Sequence, residues 1–177
     1  MKTIDTLIRA AYPLIYIVTY EEKRVEACIK DVASERNRQF LTWSCIDGIV
    51  RSNTSNESTK DPLSALGYVS GFREPAMFVF MDFHPFMDDP MIVRKLRELA
   101  DTLTQSKTLI IVSPILKLPF ELEKQVTVID WPLPDKDDIS HLLDDVVEKM
   151  KPRLNLSISP DEREGIIKSS MGLRWMR

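Results

Sequence analysis

The chain has 177 residues, 44% hydrophobic and 29% charged, with a formal net charge of −3; this suits one domain, or one with a small appendage, and allows a real core. The acidic balance argues against nucleic acid or an anionic membrane surface as the main partner, because both need a basic excess. No apolar segment approaches the roughly 20 residues that span a bilayer, and Met1-Lys2-Thr3-Ile4-Asp5 lacks the apolar core of a signal peptide, so a cytoplasmic or equivalent setting is expected.

Ile4, Leu7, Ile8 and Ala11 share one helical face, and Tyr12-Pro13 ends that first helix because the residue before proline avoids the α region. Leu14-Ile15-Tyr16-Ile17-Val18 is a β-branched apolar run and reads as the first strand. Thr19-Tyr20-Glu21-Glu22 fits a capping box, in which the Thr19 hydroxyl and Glu22 carboxylate satisfy backbone N–H groups at a helix start. The helix that follows buries Val25, Cys28, Ile29, Val32 and Ala33. Phe40-Leu41-Thr42-Trp43 gives the second strand, and the polar stretch 47–60 reads as a mobile loop with nothing to bury. Asp61-Pro62 caps a helix that closes at Gly71.

The run Ala76-Met77-Phe78-Val79-Phe80-Met81, stopped by Asp82-Phe83-His84, reads as the central strand of a parallel sheet, since such strands are covered on both faces and do not alternate. Asp88 or Asp89 caps the next helix, with Pro90 in its first turn and Ile92, Val93, Leu96, Leu99, Ala100 and Leu103 as its apolar stripe. Thr108–Ser113 and Val126–Ile129 are the last two strands, and the stretch 118–123 between them holds a helical turn or two. Trp131-Pro132-Leu133-Pro134-Asp135 breaks the pattern. Beyond it lie a helix with Ile139, Leu142, Leu143, Val146, Val147 and Met150 inward, and another opened by the capping pattern Ser159-Pro160-Asp161-Glu162. Cys28 and Cys45 have no metal-ligand spacing and read as packed thiols.

Chemistry is sought at the C-terminal ends of the strands. Four apolar residues followed by Asp82 is how the magnesium-side strand of a P-loop nucleotidase looks. Such an enzyme also needs a glycine-rich loop, G-x-x-x-x-G-K-[ST], after its first strand. Here that link is Thr19-Tyr20-Glu21-Glu22-Lys23-Arg24, without glycine and with two acids at a helix start whose partial positive charge otherwise draws phosphate. Lys23 and Arg24 read as an exposed turn of mixed charge rather than phosphate ligands. Asp82 and His84, with Asp88 and Asp89, form the densest set of metal-ligand types. Capping and packing compete for all four. Phe83, following Asp82, cannot orient a water. Ser113 stands where a γ-phosphate sensor is found in AAA-class ATPases, and without a phosphate it would only end its strand. No G-x-S-x-G elbow is present, and His84 and His141 lie far apart in the sequence.

The segments 7–25, Asp82-Phe83-His84-Pro85-Phe86-Met87-Asp88-Asp89-Pro90, Ser113-Pro114, Leu118-Pro119 with Glu121-Leu122-Glu123-Lys124, and Pro132-Leu133-Pro134-Asp135 together resemble the N-terminal region of an AAA-type ATPase-like family. That family occurs in cyanobacteria and is encoded as an open reading frame in algal plastids. The resemblance runs along nearly the whole chain, through Met171-Gly172-Leu173, and departs at Arg174-Trp175-Met176-Arg177. It implies a degenerate AAA-like module that a second module, with proper Walker motifs, follows in full-length members. It also implies a plastid or cyanobacterial setting and, for residues after Trp131, the start of a helical lid.

The fold expected is α/β: a three-layer, five-stranded parallel sheet, P-loop-like without the loop, over residues 1–131, with a partial helical lid over 132–177. The function expected is a non-catalytic module for assembly or regulation of an AAA-type ATPase, acting on a second module, a partner or copies of itself. No bound cofactor is expected. The alternative is a divergent nucleotidase or metal-dependent phosphohydrolase using Asp82 and His84, and a third reading is an ATP and magnesium sensor, with Asp82 and Ser113 as its candidate contacts.

Overall fold

The computed structural model describes residues 2–103, 105–132, 136–150 and 158–170. The chain divides into two compact units, Met1–Trp131 and Pro132–Arg177. The first contains α1 (Lys2–Arg9), β1 (Leu14–Val18), α2 (Glu22–Glu35), β2 (Gln39–Ser44), β3 (Gly48–Arg51), β4 (Thr54–Asn56), α3 (Pro62–Gly71), β5 (Ala76–Met81), α4 (Pro90–Thr102), β6 (Lys107–Ser113) and β7 (Val126–Asp130). The second contains α5 (Lys136–Met150) and α6 (Pro160–Ser170).

All strands join one sheet in the order β4-β3-β2-β5-β6-β1-β7. The five expected strands are β2, β5, β6, β1 and β7, and every neighbouring pair among them is parallel. Each of these parallel links needs a crossover, which is why helices cover both faces. Ala76, Phe78 and Phe80 point into one core with α3 and α4, where Trp43 stacks on Phe80 at 4.9 Å between ring centroids. Met77 and Val79 point into the other, with Ile4, Ile8, Val25 and Ile29 of α1 and α2. Burying both faces explains the unbroken apolar run of β5.

The sheet has seven strands, because the stretch expected to be a mobile loop folds into a hairpin. β3 pairs antiparallel with β2 and with β4. Ser52 and Asn53 both take positive φ, 49° and 64°, as a two-residue turn between right-twisted strands requires. Gly48 enters the hairpin at φ 69°. A Cβ there would lie 2.3 Å from the Asn56 carbonyl oxygen. Thr59 closes the unit: its hydroxyl accepts from the Ile49 N–H at 2.7 Å and its carbonyl accepts from Trp43 Nε1 at 2.7 Å.

Local caps follow their residues in most places. Asp61 accepts from the Ser64 N–H at 2.8 Å, and Asp89, rather than Asp88, caps α4 by accepting from Met91. Ser159 and Glu162 bond reciprocally at the start of α6, as a capping box does. Arg163 grips Asp144 of α5 with two nitrogens, at 2.5 and 2.8 Å. Ala11, with φ 59°, lies beyond the end of α1. Cys28 is buried, but Cys45 is an exposed turn residue rather than a packed thiol. In α5 Ile139 is buried, whereas Leu142, Val146 and Met150 are exposed instead of inward. The residues 133–135 of the expected hinge, and 171–177, lie outside the described residues.

Candidate functional site

Four strand ends are laced together at the C-terminal edge of the sheet. The Thr19 N–H donates to the Ser113 carbonyl at 2.9 Å, the Asp82 N–H to the Val112 carbonyl at 2.9 Å, and the Trp131 N–H to the Val18 carbonyl at 3.3 Å. This brings the turns after β1, β5, β6 and β7 into one crevice, where an open parallel sheet binds ligands. The pattern places Asp82 there because the strand has used its last core residue, and Phe83 turns back beneath it, fully buried.

At the start of α2 the expected capping box is absent. The Thr19 hydroxyl accepts from the Glu21 N–H at 3.0 Å, within the turn itself. Glu21 becomes the N-cap, with no capping bond from its side chain. Its carboxylate folds back instead: the side chain is 9% exposed, and Oε2 accepts from Arg24 Nη1 at 2.7 Å. Arg24 in turn lies over the Trp131 ring, 5.6 Å from its centroid, a cation–π arrangement. Arg24 is thus engaged in the protein's own contacts and is not a bare exposed cation. The other oxygen of Glu21, Oε1, is buried without a hydrogen-bond partner.

Glu22 occupies the first turn of α2. Burial raises its carboxyl above the ordinary value, and the charges of Asp82 and then Glu26 raise it further. Glu22 and Asp82 therefore sense one another across the crevice. Asp82 holds φ 50°, a left-handed conformation that aspartate tolerates better than most residues. Its side chain is 56% exposed, with Oδ1 3.8 Å from His84 Nδ1, and that nitrogen is buried without a hydrogen-bond partner. Ser113 is fully buried, and its hydroxyl also lacks a partner.

The structure thus brings Asp82 and His84 together, and it brings Asp82 into the field of Glu22. Asp88 is elsewhere, paired to Lys117. Among the described residues no group of three or more His, Cys, Asp or Glu side chains is arranged to hold a metal ion. The start of α2 lacks the features with which a P-loop holds the phosphates of a nucleotide with magnesium. The turn from Thr19 to Glu21 has no glycine to wrap an anion, and acids hold both the cap and the first turn of α2.

Residues 1–131 match the profile described as the SpoVK-like AAA ATPase, N-terminal domain. The chain belongs to this family. Among similar proteins are the AAA domain-containing protein ycf46 of Guillardia theta, 35% identical over 98% of this chain, and that of Trieres chinensis, 36% identical over 100%. This SpoVK-like N-terminal domain chain spans about a third of their length, 34% and 36%. Solved structures with similar folds include a DNA replication initiation factor, at a TM-score of 0.58 and 9% identity over 98% of this chain and 56% of that one. Another is a STAND signal-transduction ATPase with a tetratricopeptide repeat sensor from Pyrococcus horikoshii, at 0.53 and 18% over 97% and 28%. The mixed α/β fold of the SpoVK-like domain is therefore that of AAA-type ATPases.

Two features of this SpoVK-like crevice escape sequence reasoning. Glu21 is buried by an ion pair with Arg24, and Trp131, two places beyond the last expected strand residue, closes over that pair. The spacing of Glu21 and Arg24 was a usable signal, because residues three apart on a helix meet. Nothing in the local pattern ties Trp131 to residue 24. Only the pairing of β7 with β1 does so.

Proposed function

We propose that this chain is a non-catalytic module of an AAA-type ATPase assembly, which acts through its surfaces on a catalytic module, a partner ATPase or copies of itself. One observation carries the reading: the start of α2, where a P-loop enzyme holds phosphate, carries Glu21 and Glu22 and faces Asp82. A nucleotide would meet the carboxylates of Glu22 and Asp82, and a cap residue, Glu21, whose acid is folded onto Arg24, where it needs backbone N–H groups and a lysine. In this reading Asp82 and Ser113 end strands and hold no nucleotide, and the helices after Trp131 are part of a lid. The relatives' length, about three times that of this chain, supports a second module beside it. The net charge of −3 favours a protein partner over nucleic acid. The relatives' algal sources favour a plastid or cyanobacterial setting. No helix among the described residues is long and apolar enough to cross a membrane.

Isothermal titration with ATP and magnesium tests this reading. No binding heat is expected from the chain or from Asp82→Asn. Micromolar binding that Asp82→Asn abolishes would overturn it in favour of a nucleotide-binding site.

A further inference from the structure

The crevice gathers hydrogen-bonding atoms that the fold leaves unanswered. Among the described residues, buried side-chain polar atoms without a partner occur on Glu21, His84, Ser113, Gln125 and Trp131. Four of these five residues stand at the C-terminal ends of β1, β5, β6 and β7 or just beyond them. A buried polar atom without a partner is costly, so their concentration at one edge of the sheet points to a ligand that supplies the missing bonds. Two of them are oxygens that accept. Glu21 Oε1 belongs to a carboxylate whose side chain is 9% exposed, and Ser113 Oγ belongs to a fully buried residue.

The sheet order sets these atoms between two acids. β6 lies between β5 and β1, so Ser113, its last residue, stands between the turn that holds Asp82 and the turn that leads to Glu22. Asp82 Oδ1 and His84 Nδ1 are 3.8 Å apart, too far to bond each other, yet a single N–H donor beside them reaches both. The charge of Asp82 helps to raise the Glu22 carboxyl, and a cation between the two relieves that repulsion.

The kind of cation follows from how the acceptors are spread. A metal ion needs its ligand atoms to converge at about 2.0–2.6 Å, and no group of three or more His, Cys, Asp or Glu among the described residues is so arranged. A guanidinium needs only hydrogen-bond distances, and its planar fork of N–H donors spans acceptors that stand apart, whereas the donors of an ammonium radiate from one point. We infer that this crevice binds a guanidinium cation, held between Glu22 and Asp82, with His84 Nδ1 and Ser113 Oγ accepting from it. The cation is a free guanidine compound or the arginine side chain of a partner protein. The inference rests on the non-catalytic reading above, because it puts a cation where a nucleotidase holds phosphate.

Methylguanidinium, titrated into the intact chain at constant ionic strength and followed by the amide resonances of residues 19–25, Asp82 and His84, tests it. Saturable shifts are expected there, with a Kd of about 1–10 mM, and methylammonium should bind roughly tenfold more weakly. Glu22→Gln and Asp82→Asn should each weaken methylguanidinium roughly tenfold. Asparagine tolerates the positive φ at position 82, so the turn survives that change. Asp101→Asn removes the same charge from the exposed C-terminal part of α4, which leads to the opposite end of β6, and should leave binding unchanged. The peptide N-acetyl-Gly-Arg-Gly-amide separates the two sources. Binding at least about tenfold tighter than that of methylguanidinium assigns a partner's arginine, and anything weaker assigns a free guanidine compound. No saturable shift with either probe would overturn the inference, as would equal binding of methylammonium or equal weakening by Asp101→Asn. If methylguanidinium and ATP are both silent, this inference alone falls; if ATP with magnesium binds, the non-catalytic reading beneath it falls.

Discussion

Asp82 and Glu22 show what single residues do in the crevice. At φ 50°, Asp82 sits in a conformation that a β-branched side chain resists. Asp82→Val should cost about 1–2 kcal/mol in denaturant unfolding, and Asp82→Gly should be neutral or gain up to about 1 kcal/mol. Equal stability of the two variants would contradict this account of the turn. Glu22 makes a pH prediction. Its carboxyl titrates above the ordinary 4.5 in the folded protein, through burial first and the charges of Asp82 and Glu26 second. The folded state then binds more protons than the unfolded state, so this group's contribution to stability falls as pH rises through the raised value. The penalty is absent below the unfolded value and fully present above the folded one. Glu22→Gln should therefore stabilise at neutral pH by at most about 0.5 kcal/mol, since the carboxylate is largely solvated. The gain should vanish in acid below the ordinary carboxylate range. Thermal unfolding at both pH values measures it, and a gain that grows on acidification would contradict the assignment. The apolar stop at Asp82 was legible in the sequence. Its backbone strain and its coupling to Glu22 were not, because both arise from a long-range register that brings β5 beside β6 and β6 beside β1.

At the level of elements, legibility followed burial. The buried face of α2, Val25, Cys28, Ile29, Val32 and Ala33, is the face its spacing predicts, because a 3.6-residue period records which side meets the sheet. The β3–β4 hairpin left no such record. β4 is Thr54-Ser55-Asn56, mostly exposed, and what holds the hairpin is a backbone conformation plus the Thr59 hydroxyl rather than an apolar pattern. Gly48→Ala puts a Cβ into the Asn56 carbonyl at positive φ, and should cost more than about 2 kcal/mol. Amide exchange should then rise across 48–59 first, whereas unchanged protection there would show that the glycine is dispensable. The two capping patterns diverged for a tertiary reason. Ser159 and Glu162 are exposed and free to bond each other. At the start of α2, Glu21 takes the N-cap position, and the ion pair with Arg24 under Trp131 draws its side chain away. The outward stripe of α5 also escaped the periodic reading, because hydropathy marks an apolar face without saying whether the same chain covers it.

For the whole molecule, the alternation of strand and helix fixed the parallel five-stranded core, and the order β2-β5-β6-β1-β7 then gathered the β1, β5, β6 and β7 ends at one crevice. In the reading proposed above, that crevice has the position of a nucleotide site in an AAA-type fold, with acids at the helix start that disfavour nucleotide. Acids at the start of α2 reverse the charge that a phosphate site carries there. The most direct test follows the backbone amide resonances of residues 19–25 and Asp82 while ATP and magnesium are added to the intact chain. These amides should not move at millimolar nucleotide, beyond the uniform drift caused by ionic strength. Saturable shifts confined to Glu21, Glu22, Lys23 and Asp82 would contradict this, since they would show phosphate held at a helix start that its own carboxylates should close.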